Sequence, residues 1–269
     1  MAPLALAHQT SARLLRPAVT AIVLLLTWEA ACRLLAVQPF ILPPPSAVIL
    51  RLVMDAPMLA REAMVTALEV VLGLALGTVA GCLFALLLIA SAPARRWLLP
   101  LLLVSQAIPV FALAPIFVIW LGYGMAPKVA MAALMIQFPV ALAFYHGMRQ
   151  ADDGLIDIAR LHGATRGQEI RLIRAPAALP SLAGGLRGAA ALAPLAAVIG
   201  EWVGAAGGLG FVMIQANARM QTDRMFAAVV LLALMALGLW TLTDRLLRHL
   251  LHWLPDSHSG GASTSRLAS

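Results

Sequence analysis

Apolar residues run through this chain in six long blocks, near 17–36, 66–90, 97–121, 129–148, 182–203 and 225–251, with polar positions concentrated between them. Each block reaches the ~20 residues that an α-helix needs to cross ~30 Å of hydrocarbon. The pattern predicts an all-α membrane protein of about six transmembrane helices, one domain over 17–253. A short tail, 1–16, precedes it, and a Ser/Gly-rich tail, 254–269, is expected to be disordered. The first block is too long for a typical signal-peptide core and reads as an uncleaved span, although small residues near Ala30 leave cleavage open.

One polar island interrupts the pattern, between blocks four and five. Residues 152–180 hold Asp152, Asp153, Asp157 and Glu169, four of the twelve acidic residues, together with Arg160, Arg166, Arg171 and Arg174. An uncompensated charge costs several kcal/mol near the bilayer centre, so this segment is a water-facing loop. Asp152 or Asp153 can cap a first short helix through Ile156, Asp157 and Leu161, which Gly163 is placed to end in the left-handed conformation. Thr165 and Gln168 stand at capping-box spacing, so a second helix starts there and runs through Ile170, Leu172 and Ile173 until Pro176 stops it. The product is a helix–turn–helix knob whose apolar ridge is Leu155, Ile158, Leu161, Ile170 and Ile173.

Other breaks carry local meaning. Pro43, Pro44 and Pro45 forbid a continuing helix after the first span, and an amphipathic segment follows from Ser46. Glu29 and Arg33 are four apart, the spacing at which opposite charges pair on one helical face. Gly73, Gly77 and Gly81 recur every fourth residue, which lets helices approach closely in lipid. The third block contains Pro100, Pro109 and Pro115, and such broken backbone is tolerated at membrane depth where it lines a cavity or is buried in protein. Gln106 and Pro109 in that block, and Gln137 in the fourth, are therefore pathway candidates, with helix-to-helix bonding the competing role for the glutamines. Glu201 and Trp202, at the far end of the fifth span, are candidates for a gate or docking surface, with an interfacial anchor as the alternative.

Composition agrees, since 62% of residues are hydrophobic and only 12% charged, against the roughly 25% charged of a soluble domain. The net charge of +7 is spread over loops rather than gathered on one face, which speaks for topology and against nucleic acid. With the loop and both termini in the cytoplasm, thirteen of the nineteen basic residues fall on that side and six on the other. The sole lysine, Lys128, follows Pro127 rather than a phosphate-binding glycine, so the chain has no ATP site of its own. Cys32 and Cys82 lie in apolar runs, and no metal set, cofactor cradle or catalytic constellation is legible. The acids outside the loop do not form a second cluster, which argues against a membrane prenyltransferase. They also lie at span ends without an inverted repeat, which argues against an ion-coupled carrier.

The island's spacing resembles the cytoplasmic loop of ABC-importer permeases, which reads Glu-Ala-Ala, three residues, Gly, nine residues, Ile-x-Leu-Pro. Here Asp157, Ile158 and Ala159 stand at the triplet, Gly163 at the glycine, and Ile173, Arg174, Ala175 and Pro176 at the end; Ile158 and Ala175 depart from the pattern. The segment from Leu42 to Ser46, with the stretches around Gln106, Glu201 and 216–223, narrows the resemblance to the nitrate, taurine, sulfonate and hydroxymethylpyrimidine group. The resemblance implies a type I importer fold with a coupling loop, 152–176, in which Asp157, Ala159, Gly163, Ile173 and Pro176 contact a separate ATP-binding ATPase subunit. It further implies a permease homodimer in the bacterial inner membrane, surrounded by membrane lipid. A periplasmic or lipid-anchored binding protein would deliver a small polar solute, such as hydroxymethylpyrimidine, a thiamine precursor.

Overall fold

A computed structural model describes the backbone of residues 3–204 and 206–253 and side chains from Val19 onward. Among these residues every regular element is helical. Their order is α1 (Pro3–Leu34), α2 (Pro45–Met54), α3 (Ala56–Ala90), α4 (Ala92–Ala107), α5 (Val110–Leu121), α6 (Met125–Arg149), α7 (Asp153–Leu161), α8 (Arg166–Glu169), a π-turn (Ile170–Arg174), α9 (Ala175–Ala177), α10 (Leu179–Gly204), α11 (Leu209–Ala218) and α12 (Thr222–Leu250). Four of them, α3, α6, α10 and α12, are long and apolar enough to cross a membrane, and α4 with α5 makes a fifth candidate if that bent pair is one span. The first predicted span lies in α1, part of which falls outside the described side chains, and the predicted tail 254–269 lies outside the described residues.

Two features depart from the sequence expectation. The third block is broken as expected, but at one place and not repeatedly: α4 and α5 meet at 102° across Ile108 and Pro109. Of its three prolines, Pro100 and Pro115 sit inside helices, and only Pro109, at the N-cap of α5, marks the break. Pro176 likewise fails to stop the loop's second helix. The chain widens into the π-turn, with the Ala175 N–H bonded to the Ile170 carbonyl, and passes through α9 into α10. A wider turn shifts the carbonyl four residues back that a proline ring would otherwise strike, so the helix direction survives.

The chain divides into two compact units, Met1–Thr66 with Ala206–Ala233, and Ala67–Ala205 with Leu234–Ser269. In the first, polar caps join elements remote in sequence. Glu29 pairs with Arg33 at 2.6 Å and also accepts from the Ser46 backbone N–H at 3.0 Å, which caps the start of α2. Glu62 and Thr66 on α3 accept from the backbone of Gly208 at 2.6 Å and Leu209 at 2.8 Å, satisfying the start of α11. Arg51 binds Asp223 at 2.9 Å and Arg224 binds Asp55 at 2.7 Å, so α2 and its C-cap are pinned to the first turn of α12.

In the second unit α6 is the hub. The glycine stripe of α3 packs on it so closely that a Cβ at Gly73, Gly77 or Gly81 would come within 2.5 Å, 2.7 Å and 2.6 Å of Ala132, Ile136 and the Gln137 carbonyl. The fifth block, rich in small residues, packs on another side: a Cβ at Gly185 would stand 2.5 Å from Ala143 and one at Gly147 would stand 2.7 Å from Ser181. Val70, Ala132, Ile136, Val140 and the alanines of α10 form the resulting core. Arg187 on α10 bonds Asp244 on α12 at 2.8 Å, and Arg248 bonds the same carboxylate.

Candidate functional site

The loop between α6 and α10 is built from its caps inward. The Asp152 side chain accepts from the Gly154 N–H at 2.8 Å at the start of α7. Gly163, at φ +79°, turns the chain after it, a conformation that costs a residue with a Cβ roughly 1–2 kcal/mol. Thr165 and Gln168 complete a capping box, with each side chain bonded to the other residue's backbone N–H. Between the two helices Glu169, 8% exposed, accepts from Arg174 at 2.6 Å and Arg160 at 3.0 Å, and Arg174 also donates to the Met148 carbonyl at 3.2 Å. Burial raises the Glu169 carboxyl, but the two guanidiniums outweigh it and hold the group below the usual carboxylate range.

The predicted ridge is divided by this architecture. Leu155, Ile158 and Leu161 are 55%, 56% and 86% exposed along one face of α7, and Ile156 on the other face is buried. Ile170 turns inward, against the cluster of Phe144, Tyr145 and Met148. Asp157 is exposed and stands 3.6 Å from Arg160, Ala159 and Ile173 are half-buried, and Pro176 is exposed beyond the π-turn.

A second polar cluster lies at the opposite end of the same unit. Lys128 is the fourth residue of α6 and is buried, with Nζ 2.5 Å from Oε1 of Glu69. Glu69 and Glu201 are both fully buried, and the Glu201 carboxyl lies within hydrogen-bonding reach of Glu69. The other oxygen, Oε2 of Glu69, receives no hydrogen bond. A Cβ at Gly200 would come within 3.0 Å of Lys128, so the glycine beside Glu201 is what lets α10 close on the lysine. Counting ~1.5 Å of rise per residue, each of the three sits about 30 Å along its helix from the loop end. Two carboxyls and one ammonium therefore lie together in a buried site at the end of the spans remote from the loop.

The pathway candidates are not gathered together. Gln106 and Pro109 are exposed at the bend of α4 and α5, Gln137 is half-buried in the middle of α6, and Trp202 is 49% exposed. Glu201 is the exception in its group, since it is buried beside Glu69 rather than exposed at a surface. Sequence reading placed Glu69 and Glu201 at span ends, where they lie, but did not foresee that both are buried or that Glu69 pairs with Lys128. Their signal was a lone acid or lysine at the edge of an apolar block. Among the described residues no group of three or more His, Cys, Asp or Glu could hold a metal.

The family described as binding-protein-dependent transport system inner membrane component matches residues 73–254. The chain belongs to that family. It is 46% identical over 235 residues, covering 87% of this chain and 96% of the relative, to a probable ABC transporter permease protein of Haemophilus influenzae. It is 34% identical over 240 residues, 89% of this chain and 96% of the relative, to the formylaminopyrimidine transport permease protein ThiX of Halalkalibacterium halodurans. The riboflavin transport system permease protein RibX of Chloroflexus aurantiacus is 37% identical over 242 residues, 87% of this chain and 88% of that one. A chain of the MetNI methionine ABC transporter in an inward-facing conformation superposes with TM-score 0.65 at 22% identity, covering 73% of this chain and 97% of that chain, a likeness of fold. This permease is thus a subunit of an ABC importer, and membership implies two kinds of partner, an ATPase subunit and a substrate-binding protein.

Proposed function

We propose that this permease is the pore of an ATP-driven importer in which a separate ATPase subunit grips α7. The carrying observation is that α7 is capped at both ends yet exposes Leu155, Ile158 and Leu161 in one stripe, an apolar face left uncovered by the described residues. Asp157, Ala159, Gly163, Ile173 and Pro176 form or position that face, and the Glu169 clamp ties it to the end of α6, so a push on α7 reaches the span directly. The loop and both termini lie in the cytoplasm on the basic-residue count. The permease works in the inner membrane as a homodimer, receiving solute on the outer face from a periplasmic or lipid-anchored binding protein. Glu201 and Trp202 stand at that outer end, and Gln106, Pro109 and Gln137 contribute to the pathway.

The solute is a small polar molecule of the pyrimidine-precursor type. Support comes from the formylaminopyrimidine and riboflavin relatives, both named for nitrogen heterocycles, at 34% and 37% identity, against 30% for the Escherichia coli taurine permease. Ile158→Glu tests the coupling role: the variant inserts at normal levels, whereas a Walker-motif ATPase that co-purifies with the parent chain is lost. Retention of the ATPase by this variant would overturn the assignment of α7. Uptake of labelled hydroxymethylpyrimidine, with taurine as the competing arm, tests the solute.

A further inference from the structure

A cleft of about 580 Å³ opens beside the coupling loop and is lined by five arginines, Arg95, Arg149, Arg160, Arg166 and Arg174, against two carboxylates, Asp153 and Glu169. Arg160 and Arg174 are engaged with Glu169. The other three are not neutralised: among the described residues Arg95, Arg149 and Arg166 have no carboxylate partner. Arg166 donates instead to the Ile89 carbonyl at 3.3 Å, and Arg149 lies 5.9 Å from the Tyr145 ring. Guanidiniums held around a cavity without counter-charge repel one another, and that repulsion is relieved when an anion enters.

Its position says which anion. The cleft lies where three apolar helices end or begin, at Ile89 near the end of α3, Arg95 in the first turn of α4 and Arg149 closing α6. The two helices that frame it expose Leu83 and Leu87 on α3, and Trp97 and Leu101 on α4, which is the surface that acyl chains cover. An exposed tryptophan beside arginines at a span end marks the headgroup level. The planar fork of a guanidinium matches phosphate oxygens in pairs, and basic pockets between spans accept anionic headgroups. We propose that this cleft binds the phosphate of an anionic phospholipid, with Arg95 and Arg149 as its principal ligands. The proposal rests on the membrane placement of the spans and not on the coupling role of α7.

The test uses the full chain in neutral detergent, titrated with dioleoyl phosphatidylglycerol, dioleoyl phosphatidylcholine or inorganic phosphate while the thermal midpoint is followed. Phosphatidylglycerol raises the midpoint saturably, and neither of the others does at equal concentration. The R95Q/R149Q variant weakens that binding about thirty-fold. R95K/R149K retains most of it, which separates loss of charge from loss of fold. If R95Q/R149Q fails to fold, R149Q alone shows about a five-fold loss. Equal affinity of the glutamine variants would overturn the proposal, as would a midpoint shift by inorganic phosphate matching that of the lipid, which would make this a soluble-anion site. Loss of lipid binding whenever the ATPase subunit is present would also overturn it, by assigning the cleft to acidic protein. Co-purification of the ATPase with R95Q/R149Q reads the coupling role separately.

Discussion

The two ends of α6 carry charge clusters of opposite design. At the Arg149 end one carboxylate, Glu169, is served by two guanidiniums, and Arg160 remains 56% exposed to water. At the Lys128 end one ammonium pairs with Glu69, the two being 6% and 1% exposed, and the buried Glu201 carboxyl lies beside Glu69. The loop end has donors to spare and can exchange partners with solvent or with another subunit at small cost. The far end is buried, so it holds one arrangement or breaks. If α7 has the proposed coupling role, an exposed element at one end and a buried polar pin at the other is the division of labour that a transmitted push requires.

The largest test of this contrast is to remove the pin. Lys128→Met leaves the buried Glu69 carboxyl without its cation and costs about 3–5 kcal/mol, the penalty for breaking a buried pair from one side. Lys128→Met combined with Glu69→Met recovers much of that loss, since neither member of the ion pair is then left without the other. Thermal or denaturant unfolding of the four proteins in detergent measures the cycle. Additive losses would mean that the lysine and Glu69 do not act as a unit, and the contrast with the loop would fall.

The span between the two clusters must be stiff if they are to communicate. Gly81→Ala drives a Cβ to 2.6 Å from the Gln137 carbonyl, a backbone atom that has little room to retreat. Overpacking of that kind costs about 1–3 kcal/mol. Gly184→Ala on α10, where an added Cβ meets nothing within 4 Å, stabilises by about 0.5–1 kcal/mol from helix propensity alone. Equal effects of the two substitutions would show that α3 and α6 are loosely packed at this level.

Gly163 isolates the loop end by its backbone. An added Cβ there meets nothing within 4 Å, so only φ +79° penalises it. Gly163→Val costs about 1–2 kcal/mol, and Gly163→Asn much less, because Asn tolerates the left-handed region. ATPase activity measured against uptake in the same membranes then gives an outcome that packing alone would not: the valine variant hydrolyses ATP without matching transport, and the asparagine variant stays coupled. Unaltered uptake by the valine variant sets the proposed coupling role aside.

Why one end was readable and the other was not follows from chain distance. The caps at Asp152 and Thr165, the turn at Gly163 and the outward stripe of α7 all depend on residues within about one helical turn of each other, and local spacing reports them. Glu69 and Lys128 are 59 residues apart, and only the glycine contacts of α3 and α10 with α6 bring the trio together. The glycine spacing itself was legible, yet its partner helix was not. Pro176 misled for a related reason: the ring forbids an ordinary α-turn, but a π-turn a few residues earlier depends on how the whole segment docks on α6. In the third block the bend is real, and which of three prolines makes it was not decidable from one-dimensional order.

The smallest expected effect concerns the pH response of the loop, and its sign follows from Glu169. Because Arg174 and Arg160 hold its folded-state carboxyl below the usual range, the folded loop binds a proton less readily than the unfolded one. The stability it contributes is therefore fully present above the ordinary glutamate value of about 4.3 and is lost as pH falls through the lower folded value. Glu169→Gln removes this acid-sensitive component and, near neutrality, destabilises the loop by on the order of 1 kcal/mol, since Arg160 is half in water and its share is screened. Hydrogen exchange of the amides of α7 and α8 across pH 3 to 7 is the suitable readout, because global unfolding would be dominated by the far pin. Protection in the parent chain should drop in the acid range while that of the glutamine variant stays flatter. Parallel curves for the two would show that the clamp does not hold α7 to the end of α6, and the loop would then lack its route for passing motion to the span.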